Sequence, residues 1–112
     1  MSNRKTLIAG NWKMNLTLDE SVQLVKAISG SICGLEGIEV LVAPPFTSLP
    51  VVKQAIGEEG IFLGAQNMYW EPNGAYTGEI SGPIVGKQLR AVLYWHVRHS
   101  RGVHRLLHHV DQ

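Results

Sequence analysis

Asn11 and Lys13 stand two residues apart where the apolar run Leu7-Ile8-Ala9 gives way to polar sequence. A side-chain amide hydrogen-bonds a ligand oxygen, and an ammonium supplies a point charge for a phosphate or an enolate. On an extended chain alternate side chains share a face, so Leu7, Ala9, Asn11 and Lys13 are expected on one side and Ile8 and Trp12 on the other. The plainer alternative is that a lysine just after a strand is a solvated loop charge. Other candidates carry less. His104 and His108 are four residues apart with His109 beside them, but without a third placed ligand or an HExxH pattern no metal site is assigned. Gly82 to Gln88 has three residues between its glycines where a phosphate loop needs four, and Gln88 replaces the required Ser or Thr. Arg90, Arg98, Arg101 and Arg105 lie near Tyr94 and Trp95, yet no nucleic-acid motif accompanies them, so a solvated basic segment is expected and nucleic acid is not.

The elements that must position Asn11 and Lys13 follow from periodicity. Lys5 to Gly10, Gly37 to Ala43 and Gly60 to Ala65 are short aliphatic runs without helical spacing and are expected to be buried strands. Between the first two, Thr17 and Glu20 form a T-x-x-E capping box. Leu18, Val22, Val25, Ile28 and Ile32 then recur at helical steps, with Gly30 and Gly34 fraying the end. A second helix is expected from about Thr47 to Ile56, with Pro50 tolerated in its first turn. The order β-α-β-α-β argues for a parallel sheet with right-handed crossovers. If that sheet closes into a barrel, Trp12 packs outward against helices. Asn11 and Lys13 then emerge at the carboxyl end of the first strand, where such folds keep their active sites. Residues 66–81 form a long polar-aromatic loop with a turn at Pro72-Asn73-Gly74 and no expected secondary structure. Ala91 to Val97 has strand composition, and Val103, Leu106, Leu107 and Val110 have the spacing of a short basic helix.

Overall charge is +1 over 112 residues, with 45% hydrophobic residues, as in one ordinary soluble domain. The average conceals a division. Residues 1–81 hold five Lys/Arg against eight Asp/Glu, a balance of −3, whereas 82–112 hold five Lys/Arg against Asp111, a balance of +4, and all five histidines. Cys33 is the single cysteine, which excludes an intrachain disulfide. No stretch approaches the ~18 apolar residues of a membrane span and no signal-peptide core opens the chain, so the cytosol is the expected compartment and no membrane partner is expected.

GNWKMN at 10–15, APPF at 43–46 and GAQNMYWEPNGAYTGEIS at 64–81 together resemble the triosephosphate isomerase family, in order and at family spacing. The resemblance covers residues 1–81. It implies an α/β fold, the N-terminal part of a TIM (β/α)8 barrel with about three to four βα units of an incomplete barrel. It further implies interconversion of dihydroxyacetone phosphate and glyceraldehyde 3-phosphate through an enediolate, without a cofactor. Asn11 and Lys13 correspond to the family's first-strand substrate residues, Lys13 also stabilising negative charge electrostatically. Met14 with Tyr76, Thr77, Gly78 and Glu79 corresponds to its dimer contact, Thr77 inserting beside the partner's Asn11 and Lys13. The expected partners are a triose phosphate and either a second copy or a full-length subunit.

Residues 82–112 depart from the family pattern. Family members continue with a proline, a helix, a fourth strand and a Gly-His-Ser-Glu-Arg-Arg motif that carries an electrophilic histidine. Here His99, followed by Ser100 and Arg101, is the nearest echo, without the motif's glycine and glutamate; a surface histidine is the plainer alternative. Two segments are therefore expected, a βαβαβ unit at 1–81 with its interface loop at 66–81, and a basic, histidine-rich tail at 82–112. A barrel of this kind takes about 250 residues, and neither the family's glutamate base nor its later phosphate-binding glycines are found. The chain alone is expected to be inactive. An altered reading frame or splice junction near codon 81 would account for the change in character.

Overall fold

A computed structural model describes residues 5–57, 60–85 and the backbone of 91–92. Along the chain run β1 (Thr6–Asn11), α1 (Leu18–Ile32), β2 (Ile38–Ala43), a 3-10 turn (Phe46–Ser48), α2 (Leu49–Ile56), β3 (Ile61–Ala65), the short α3 (Gly82–Val85) and β4 (Ala91–Val92). The strands form one sheet in the order β1-β2-β3-β4. Every pairing is parallel, with Thr6 opposite Ile38, Val40 opposite Ile61 and Gly64 opposite Ala91. The three expected strands are present within a residue of their anticipated bounds. Of the run Ala91 to Val97 only Ala91–Val92 is described, and the basic helix expected near Val103 to Val110 lies outside the described residues.

The register explains the core. Ile8, Gly10 and Trp12 share a face with Val40 and Val42 and with Ile61, Leu63 and Ala65. Against that face pack Val25 of α1 and Leu49, Val52 and Ile56 of α2. α1 starts where the capping box fixes it: the Thr17 hydroxyl accepts from the Glu20 N–H, and Glu20 Oε1 accepts from the Thr17 N–H at 2.9 Å. Its buried side is rotated from the expected stripe. Leu18 remains 47% exposed, while Ser21 is fully buried beside Val25. Ser21 is tolerated because its hydroxyl donates to the Thr17 carbonyl at 2.7 Å and lies 3.2 Å from the buried Ser48 hydroxyl, which ties α1 to the start of α2. α2 begins at Leu49, two residues later than expected. The Ser48 N–H bonds the Pro45 carbonyl, so residues 46–48 wind as a tighter turn before the helix proper.

The 66–81 loop has more order than its composition suggests. Its ends are joined as Tyr69 N–H donates to the Ile80 carbonyl at 2.8 Å, and Tyr69 and Ser81 form a parallel bridge. The Tyr69 ring stacks on Trp70 at 5.0 Å and meets Tyr76 at 4.5 Å. Gly74 is required there: it has φ +139°, and a Cβ would fall 2.7 Å from the Tyr76 ring.

β1 contrasts with the covered strands. It pairs with β2 on one side, and its apolar residues Leu7 and Ile8, which point to opposite faces, are 56% and 53% exposed.

Candidate functional site

Asn11 is the last residue of β1, opposite Ala43 of β2. The ladder extends one step further, where Trp12 N–H donates to the Ala43 carbonyl at 3.1 Å. The indole is buried in the sheet–helix core, as expected for a residue on the helix side. With Trp12 anchored, the chain leaves the strand abruptly. Lys13 takes φ +55° and Leu16 φ +78°, left-handed conformations that cost a residue with a Cβ free energy and cluster at functional sites.

Strand alternation therefore does not carry Lys13 onto the face of Asn11. A local turn replaces the strand, in which the Lys13 N–H donates to Asn11 Oδ1 at 2.9 Å. Two amides hold this turn. Asn15 Nδ2 donates to the Trp12 carbonyl at 2.9 Å, and Gln66 Nε2 donates to the carbonyls of Lys13, at 2.8 Å, and Ala43, at 2.9 Å. Gln66 was not singled out from the sequence. Its available signal was position, an amide immediately after β3 just as Asn11 ends β1.

The Lys13 N–H fixes which end of the Asn11 amide is oxygen, and so leaves Nδ2 as the remaining donor. Nδ2 is buried and has no hydrogen-bond partner among the described residues. An unpaired buried donor costs about 1–3 kcal/mol. Lys13, two residues on, is exposed. A buried N–H donor and an exposed lysine thus share the carboxyl end of the first strand, a combination suited to oxygen-rich anions.

The other expected residues divide. Met14 belongs to the same turn as Lys13 and is 94% exposed. Tyr76, Thr77 and Gly78 are exposed and Glu79 half-buried, in a turn closed by Glu79 N–H to the Tyr76 carbonyl at 3.0 Å. Through Gln66, the root of that loop is bonded to the Lys13 turn. His99 lies outside the described residues. Among the described residues no three His, Cys, Asp or Glu side chains gather as a metal site, and no helix is long and apolar enough to cross a membrane.

Residues 6–102 match the triosephosphate isomerase family. The chain is 50% identical over 82 residues to triosephosphate isomerase of Endomicrobium trichonymphae, covering 73% of this chain and 33% of that protein. It is 45% identical over 97 residues to the enzyme of Thermoanaerobacter pseudethanolicus, covering 87% of this chain and 38% of the relative. In three dimensions it is similar to the crystal structure of triosephosphate isomerase from Bartonella henselae, with a TM-score of 0.77 and 31% identity over 96% of this chain and 47% of that one. The chain spans about a third of the length of the curated relatives it matches, and its parallel βα units are those of the N-terminal part of a TIM barrel.

Proposed function

The chain belongs to the triosephosphate isomerase family, and we propose that Asn11 and Lys13 are its substrate end for interconversion of dihydroxyacetone phosphate and glyceraldehyde 3-phosphate, in the cytoplasm, within glycolysis and gluconeogenesis. The observation that carries this is the buried Nδ2 of Asn11, without a partner among the described residues, two positions from the exposed Lys13. The ammonium attracts the dianionic phosphate and stabilises the negative charge that builds on oxygen as the enediolate forms. Asn11 Nδ2 donates to a substrate oxygen. Its Oδ1 is already committed to the Lys13 backbone, so substrate and lysine are positioned by opposite ends of one amide.

The 112-residue chain binds without turning over. Neither the family's glutamate base nor its Gly-His-Ser-Glu-Arg-Arg motif is found in it, and loss of general acid–base catalysis alone costs roughly 10²–10⁴-fold. Calorimetric titration with dihydroxyacetone phosphate at low salt tests the binding. Saturable heat that disappears in Lys13→Ala is expected; equal binding by the two proteins would refute the assignment. A coupled assay on the chain alone should stay at background.

A second role is favoured by the exposure of Met14, Trp70 and Tyr76, since large apolar side chains in water mark contact surfaces. In it the chain pairs with a full-length subunit through residues 64–81 and competes for its dimer contact. Mixing the chain with complete enzyme should then lower activity as mixed dimers appear on sizing.

A further inference from the structure

We propose that Asn15 is a positioning residue that fixes the polarity of the substrate end. By holding the Trp12–Lys13 peptide in one orientation, it makes Asn11 present its N–H, and not its carbonyl, to an anion. The starting observation is that the two ends of a single peptide unit are held by two asparagine side chains. Its carbonyl, that of Trp12, accepts from Asn15 Nδ2 at 2.9 Å, and its N–H, that of Lys13, donates to Asn11 Oδ1 at 2.9 Å. Gln66 acts on the following unit, through the Lys13 carbonyl. The Trp12 N–H, bonded to Ala43, belongs to the preceding one. Among the described residues the Trp12–Lys13 plane is therefore held by the two asparagines alone.

That plane has a reason to turn. Lys13 sits at φ +55°, a left-handed conformation that a residue with a Cβ disfavours. Rotating the peptide by about half a turn changes that φ by the same amount and returns Lys13 to the ordinary extended range. The two asparagine bonds oppose the rotation. Rotation carries the Lys13 N–H away from Asn11 and sets the Trp12 carbonyl in its place. A carbonyl cannot pair with Oδ1, so the Asn11 amide must follow, with Nδ2 turned to the carbonyl and Oδ1 where Nδ2 had been. The buried donor that has no partner among the described residues is then replaced by an acceptor, which repels a phosphate or an enediolate oxygen. Asn15 thus acts on the ligand through Asn11, by deciding which end of that amide the ligand meets.

Asn15 is itself exposed, so its replacement perturbs the plane and leaves the core intact. The ligand part of this inference rests on the substrate reading of Asn11 and Lys13. The orientation of the peptide does not, and hydrogen exchange reads it without ligand.

In the ¹⁵N-labelled full chain, Asn15→Leu keeps the approximate shape of the side chain and removes its donor, whereas Asn15→Ser restores a donor that can reach a carbonyl three residues back. The Lys13 amide should lose about tenfold in protection in Asn15→Leu and keep it in Asn15→Ser, with the Trp12 amide unchanged in both. Binding of dihydroxyacetone phosphate should weaken about 10–100-fold in Asn15→Leu, as for loss of one hydrogen bond to a charged group. The same substitution made on Asn11→Ala should cost nothing further. Unchanged Lys13 protection in Asn15→Leu would overturn the proposal. So would Lys13 and Trp12 losing protection together, which reports a collapsed turn, or a binding loss as large without the Asn11 amide as with it. A parent chain that takes up no triose phosphate yet shows the expected exchange pattern would sink the substrate reading and leave the role of Asn15 in orienting the peptide established.

Discussion

Lys13 combines a backbone conformation that favours glycine with a side chain open to water. A residue under strain that contributes nothing to the core invites a direct separation of function from stability. Lys13→Gly should leave stability unchanged or raise it by up to about 1 kcal/mol in urea titration, yet abolish triose phosphate binding. Gln66→Ala should cost about 1–2 kcal/mol through loss of two carbonyl contacts. Since one of those carbonyls is that of Lys13, it should also weaken binding without removing the charge. Asn11 and Lys13 were legible as candidates from type and spacing. How the chain turns between them was not, because strand alternation stops once Trp12 is anchored in the core and the Asn11 oxygen captures the next backbone amide. Gln66 was illegible for a related reason: its partners are carbonyls from positions 13 and 43, which only the fold brings together.

The sheet and helices follow closely from local rules. Short aliphatic runs became strands, and the Thr17–Glu20 box set the start of α1. Thr17→Ala should lower stability by about 1 kcal/mol, with the change visible in thermal melts and confined to the amides of the first helical turn by hydrogen exchange. The face that α1 buries was less legible. Periodicity counts apolar residues, whereas Ser21 enters the core through hydrogen bonds to Thr17 and Ser48 that no hydrophobicity pattern records. Val25, fully buried in the same row, should respond as a true core residue. Val25→Ala removes two methyl groups at ~0.8 kcal/mol per carbon plus a cavity contribution, for a loss of roughly 2–3 kcal/mol. The 66–81 loop marks the opposite limit, since its order comes from aromatic stacking and from Tyr69 bonding to Ile80 across the loop.

At the scale of the molecule, helices cover one face of the sheet among the described residues while Leu7 and Ile8 of β1 are more than half exposed, and the matched relatives are about three times as long as the regions they share with this chain. A parallel sheet is ordinarily buried on both faces, so the exposure of Leu7 and Ile8 is unusual for a strand of this kind. The proposed substrate end is built locally: Trp12, Asn15 and Gln66 hold the Asn11–Lys13 turn. The most direct test is therefore nuclear magnetic resonance of the ¹⁵N-labelled chain during titration with dihydroxyacetone phosphate. The Asn11 side-chain amide and the Lys13 backbone amide should shift together and saturate, and neither should move in Lys13→Ala. Shifts confined to other residues, or the same response in the variant, would contradict the account.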